Sequence, residues 1–295
     1  TRHVDPRMRR RCMQWAEIDG RKRLMVGGKI NRFIPNPTFD PVAQPGCLDE
    51  FFRGRNPEGK NMRELFGRLE PIRSGYRDRE ARMEDLDSQG IDGAFLFPTL
   101  GVGMQESLRH DPEAACAAFS GFNRWLEEDW GFAFRDRLFA APYISLMDPE
   151  WAASEVASLI ERGARLISMV PGPVPIGDGS RSIADPSYDA VWSRINEAGI
   201  AVAFHSGDAG YRAFTAEAWG GQREFRAFEY DPLVSCLSPE PIHDTFAALI
   251  CHGLFDRHPR LRVASIECGS TWVESLIRKL KKAYGQLPDS FRQDP

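Results

Sequence analysis

The run Ile200-Ala-Val-Ala-Phe-His205-Ser-Gly-Asp208-Ala-Gly210 places an imidazole, and shortly after it a carboxylate, where five apolar residues give way to glycine. An uninterrupted apolar run of that length reads as a strand buried on both faces of a parallel sheet, and in such folds the C-terminal strand ends carry the chemistry. His205 is therefore the first candidate, as a metal ligand through a neutral ring nitrogen. A ligating ring needs an oxygen to orient its other nitrogen. Asp208 is placed to be that oxygen or, equally, to cap the loop. Glu267 ends a second strand-like run, Leu261-Arg-Val-Ala-Ser-Ile-Glu267. A carboxylate there is costly to bury unless it is paired or bound to metal, and it suits general acid or base work. Its plainer role is an ion pair with an arginine at the barrel mouth, or hydrogen bonds from the amides of Gly269 and Ser270.

The elements that must position these groups repeat in order. From about Asp78, helical and strand-like segments alternate, as in consecutive parallel β-α units. The sequence predicts a helix from Arg79 to Gln89 ended by Gly90, a strand over Gly93–Pro98, a helix within Asp111–Asp129 and a strand over Leu138–Ile144. Asp148-Pro-Glu-Trp then opens a helix covering Glu155–Glu161, ended by Gly163. A strand over Arg165–Val170 follows. Asp185-Pro-Ser opens the next helix, ended at Gly199, before the His205 strand. Helices over Pro241–Phe255 and Thr271–Tyr284 flank the Glu267 strand. The loop Pro171–Ser182, rich in glycine and proline, is a candidate lid or a plain surface loop. The aromatic segment Ala209–Glu240, with Tyr211, Phe214, Trp219, Phe225, Phe228 and Tyr230, is placed to line a pocket or cover a neighbouring subunit. Residues 1–77 read as an irregular arm or insertion packed on the barrel, and residues 78–295 as the barrel.

Composition narrows the function classes. The 295 residues exceed the ~250 typical of a (β/α)8 barrel. A net charge of −4 offers no general attraction to a nucleic-acid backbone. The basic cluster Arg7–Arg11 reads as a solvated face. No apolar stretch approaches the ~18 residues of a membrane span, and no signal-peptide order is seen near the start, so the cytoplasm is the expected address. Six cysteines without a Cys-x-x-Cys pair read as reduced thiols. His243, His252 and His258 lie at helix ends and read as structural.

The segment from Ala248-Leu-Ile-Cys-His-Gly-Leu-Phe-Asp-Arg-His-Pro through Glu267-Cys-Gly-Ser-Thr-Trp-Val273 closely resembles the amidohydrolase-related family. This is the branch of the amidohydrolase superfamily that includes aminocarboxymuconate-semialdehyde decarboxylase. The Gly-Ile-Asp-Gly stretch before Phe95-Leu-Phe-Pro-Thr99 and the strand end Phe204-His-Ser-Gly207 resemble further blocks of the same family. The resemblance implies a metal-dependent (β/α)8 TIM barrel that hydrolyses or non-oxidatively decarboxylates a small carboxylated, often aromatic substrate. His205 matches the metal-binding histidine on the fifth strand. Glu267 stands where decarboxylating relatives carry a histidine, which tilts the reading towards hydrolysis. A divalent ion is implied, zinc first and manganese or iron as alternatives; it would lower the pKa of its water towards ~7. Phe97 and Trp272 are the expected substrate contacts, with core packing the plainer role of Trp272.

Two features of the family are missing. There is no first-strand Asp-x-His or His-x-His pair, and only about five β-α units are evident, with no seventh or eighth strand to supply an aspartate. A catalytic zinc site draws on three protein ligands. The expectation is therefore an interior portion of a longer chain, with which the initial Thr1 and the abrupt Gln293-Asp-Pro295 ending agree. The rival is a non-catalytic small-molecule-binding barrel that has lost its metal. A homo-oligomer acting on a small molecule, with no nucleic-acid or membrane partner, completes the expectation.

Overall fold

Consecutive left-handed residues open the fold. Asp19 and Gly20 have φ of 53° and 65°, and Gly27 and Gly28 have 57° and 74°. Two such residues in a row make the tight turn whose twist matches antiparallel strands. They join β1 (Met13–Ile18), β2 (Arg21–Val26) and β3 (Lys29–Ile30) into an antiparallel meander. This corrects the expectation that the arm is irregular: Asp-Gly and Gly-Gly between short strands are hairpin signals. The meander is also tied into the main body, because Val4, Cys12, Met13, Leu24 and Val26 belong to the same buried cluster as the central helices. A computed structural model supplies these coordinates and describes residues 2–34, 36–227, 229, 231–237 and 240–292. Thr1, Phe228, Tyr230 and the Gln293–Pro295 ending lie outside the described residues.

After β4 (Val42–Ala43) and β5 (Leu69–Glu70), which pair antiparallel, come the parallel strands. β6 (Ala94–Leu96) pairs with β7 (Leu138–Ala140). The chain beyond β7 bridges to β8 (Leu166–Met169) at Tyr143 and Ser168, where Ile144 N–H donates to Ser168 O at 3.0 Å and Ser168 N–H to Pro142 O at 2.8 Å. Next come a hairpin, β9 (Val174–Ile176) and β10 (Gly179–Arg181), and then β11 (Ala201–His205) and β12 (Arg262–Ile266), with β11 running parallel between β8 and β12. Sequential parallel strands with helices between them form one layered β/α wall. Among the described residues, β6 and β12 are its edge strands.

The helices start and stop for local reasons. Asp78, Asp111 and Asp148 accept hydrogen bonds from first-turn amides of the helices Arg79–Gln89, Pro112–Asp129 and Pro149–Glu161. Gly90 and Gly199 end their helices in the left-handed conformation, with φ of 66° each. Asp148-Pro149 opens its helix as the Asp-Pro order predicts, and the helix runs to Glu161. The helix at Pro241 stops at Cys251 and not Phe255, because Gly253 turns left-handed before a short turn at Leu254–Arg257.

Where strand pairing lapses past β7, a side chain replaces it. Buried Asn123 accepts from Tyr143 N–H at 2.8 Å and donates to Tyr143 O at 3.0 Å, so the backbone there is not left unsatisfied. Outward residues of β11 such as Val202 and Phe204 join the cluster under the helices, while Ala201 and Ala203 face Leu166, Ala141 and Ile266 inside the wall. His205 continues that inner row at the C-terminal end. Among the described residues, no helix is long and apolar enough to cross a membrane.

Candidate active site

His205 is the last residue of β11 and sits opposite Ile266 of β12. The pairing runs one step further, with Ser206 N–H donating to Ile266 O at 3.0 Å. The imidazole is nearly buried and stacks obliquely on Phe97, ring centres 5.2 Å apart. Its Nδ1 lies 2.8 Å from Ser206 O. A carbonyl only accepts, so Nδ1 carries a proton, and in the neutral tautomer this fixes, Nε2 has the lone pair. That lone pair is what a metal ion or a transferable proton requires. The orienting oxygen is thus the Ser206 carbonyl and not Asp208.

Glu267 follows β12 with a φ of 55°. A non-glycine residue there is strained by about 1 kcal/mol or more, and such outliers cluster at functional sites. The turn interrupts the alternation of the strand and leaves Glu267 Oε2 3.7 Å from His205 Nε2. This is too long for a hydrogen bond, yet within the ~4 Å spanned by two ligand bonds to one divalent ion. The two side chains therefore suit a cation as a pair. Among the described residues no third His, Cys, Asp or Glu joins them, so they offer two of the ~3 protein ligands of a catalytic zinc centre.

Asp208 is held from both sides. Its N–H donates to Val102 O at 2.9 Å, and its Oδ1 accepts from Gly210 N–H at 3.0 Å, which is the loop-capping role. Desolvation pushes its carboxyl up to about 6, against the Gly210 amide; Glu106 adds to the rise, and Arg212 and Arg223 oppose it. Gly207 makes this close approach feasible. A Cβ there would sit 2.5 Å from Val102 O and 2.9 Å from Val102 Cβ. Gly207→Ala is expected to lower stability by about 1–3 kcal/mol, read as a denaturant midpoint shift, and to push the loop at Thr99–Gly103 off the site.

These groups open onto a cavity of about 620 Å³. That volume suits a small molecule. Its aromatic walls come from distant parts of the chain: Phe33 from the arm, Phe97 after β6, and Tyr211 and Phe225 from the insertion. The arm and the insertion meet over it. The rings of Phe33 and Phe225 lie 4.9 Å apart, Ala227 N–H donates to Arg32 O at 3.3 Å, and Arg32 pairs with Glu224 at 3.8 Å. Arg223 fastens the insertion to Glu106, 3.1 Å away. Tyr211 OH donates to Asp244 Oδ2 at 3.1 Å.

Of the five residues expected from the sequence, His205, Asp208, Glu267 and Phe97 line this cavity. Trp272 does not. Its ring is buried against Phe246, 4.9 Å between centres, and its Nε1–H donates to Gly269 O, so the plainer core role holds. The lid reading of Pro171–Ser182 is also corrected: that segment is the β9–β10 hairpin and lines no part of the cavity. His243, His252 and His258 are engaged elsewhere, with Asp244, Ser182 and Asp189. Phe33 and Arg212 carried no sequence signal, because both sit in loops without periodicity. Only the aromatic content of the insertion pointed to Tyr211 and Phe225.

Comparison with known proteins agrees with this architecture. The amidohydrolase family model matches residues 70–287. An amidohydrolase from Mycobacterium avium subsp. paratuberculosis K-10 is 45% identical, with a TM-score of 0.91 over 100% of this chain and 76% of that one. Two decarboxylases share the fold at low identity. One is 2,6-dihydroxybenzoate decarboxylase from Rhizobium, at 19% identity and TM-score 0.54 over 87% of this chain and 73% of that one. The other is a 5-carboxyvanillate decarboxylase from Novosphingobium aromaticivorans DSM 12444, complexed with manganese and a nitrobenzoic acid, at 20% identity and TM-score 0.50 over 86% and 72%. No curated protein matches. A family match over most of the chain, and a relative that spans all of it, show that this chain belongs to the amidohydrolase family.

Proposed function

We propose that the chain is a metal-dependent enzyme that hydrolyses, or non-oxidatively decarboxylates, a small aromatic carboxylate in the cavity above His205. The observation that carries this reading is the His205 ring, with Nδ1 pinned and Nε2 open towards the cavity beside Glu267. His205 would hold a divalent ion, zinc in the first instance, with Glu267 as second ligand or proton-transfer group. When bound, such an ion polarises a substrate oxygen and lowers the pKa of its water. The chain's own residues do the rest. Phe33, Phe97 and Phe225 enclose a planar ring and exclude water. Asp208, titrating near 6, is matched to taking up and returning a proton close to neutral pH. Glu267, in place of a histidine, favours hydrolysis over decarboxylation.

A panel of aromatic carboxylates and of their amide and ester derivatives tests this reading. Chelator-sensitive turnover of the derivatives without carbon dioxide release supports hydrolysis, and release of carbon dioxide from the acids supports decarboxylation. The convergence of only two ligand side chains among the described residues favours a second reading, a binding barrel without catalysis. That reading expects ligand binding unchanged by chelator and no turnover of any member.

We place the reaction in the cytoplasm, where six free cysteines agree with a reducing compartment. We also propose a homo-oligomer, with Phe214 and Trp219 exposed on the insertion as its contact. Sedimentation of the wild type as a monomer would count against it.

A further inference from the structure

The insertion carries three arginines, Arg212, Arg223 and Arg226, and they are used differently. Arg223 is committed to Glu106 and Glu217, at 3.1 and 3.6 Å. Arg226 is committed to Glu224 and Glu229, at 3.3 and 3.6 Å. Arg212 is half-buried and lines the cavity. Its Nε–H donates to Gln222 O at 3.1 Å, which fixes the plane of the guanidinium, and among the described residues it forms no ion pair. Among the described residues it is the one guanidinium or ammonium lining the cavity, and it shares that lining with Phe33, Phe97 and Phe225. A guanidinium anchored at Nε retains its two outer nitrogens as a planar fork, the geometry that grips a carboxylate with two parallel hydrogen bonds. Among the described residues no carboxylate comes within ion-pair distance of it, and Asp208 feels it only as a more distant charge, so its two outer nitrogens remain available to an anionic ligand.

We infer that Arg212 is the specificity residue of the cavity, receiving the carboxylate of an aromatic acid whose ring lies against Phe33, Phe97 and Phe225. This rests on the proposed function only in taking the cavity as the substrate site. It assigns the anion to a group on the insertion, apart from the strand ends where His205 and Glu267 stand.

The test is binding and needs no turnover. 4-(Trifluoromethyl)benzoate and its uncharged amide are titrated against the protein and followed by fluorine NMR. Wild type is expected to bind the acid about tenfold or more tighter than the amide, the gain of a charge-assisted pair. Arg212→Gln should abolish that preference. Arg212→Lys, which keeps the charge but not the fork, should retain part of it, and it also serves as the control should the glutamine variant fold poorly. No preference in wild type, or an undiminished preference in Arg212→Gln, overturns the inference. A preference that depends on Arg212, in a protein that turns over no member of the panel above, keeps the inference and rejects the enzymatic reading. Turnover without the preference does the reverse.

Discussion

Asp208→Asn is expected to make the protein more stable at neutral pH and far less active. The carboxyl titrates near 6 in the folded chain against its ordinary value of 3.8, chiefly because it is desolvated. Between those two values the folded state binds a proton that the unfolded state has released. Stability therefore falls as pH rises from about 4 to about 6 and stays reduced above that range. Asparagine is neutral throughout and its side-chain oxygen can still accept from Gly210. The variant should match wild type near pH 3.5 and exceed it by about 2–3 kcal/mol at pH 7.5, as chemical denaturation across that range would show. If the carboxyl moves a proton in the reaction, turnover drops by about 10²–10⁴-fold in the same variant. Equal stability of the two proteins at pH 7.5 would mean that the carboxylate is well solvated or paired. The same exchange of stability for function is common at active sites.

His205→Ala should lower kcat/KM by about 10³-fold or more, since even groups that only support a metal ligand are worth ~10–100-fold. The fold should survive. The ring contacts Phe97 and its own loop, while the strand pairing through Ser206 N–H and Ile266 O is backbone only. Circular dichroism and the melting temperature separate loss of chemistry from loss of structure. A variant that folds and keeps wild-type kcat/KM would remove His205 from the mechanism.

The sequence made the middle of this fold legible because its punctuation is local. Asp78, Asp111 and Asp148 before their helices, and Gly90 and Gly199 after theirs, act within a few residues, and the structure uses each as a cap. The apolar run before His205 could be recognised for the same reason. The arm is harder to read because its meander depends on Asp19-Gly20 and Gly27-Gly28 turns within a segment otherwise rich in arginine and proline. The candidate site was half legible. Strand-end residues announce themselves through the strand, whereas Phe33, Phe225 and Arg212 reach the cavity only through long-range packing of loops. Trp272 shows the opposite error: an aromatic next to a strand end in sequence turns back into the core against Phe246. Asp208 lies close to His205 in sequence, yet its side chain serves Gly210 while the nearer Ser206 carbonyl orients the ring.

Metal content per chain, measured by plasma mass spectrometry on wild type and His205→Ala purified without chelator, decides whether His205 holds a metal ion. Close to one zinc, manganese or iron ion per wild-type chain, with a large loss in the variant, is expected. Wild-type protein that remains metal-free after reconstitution, or a variant that keeps the full metal content, would contradict it.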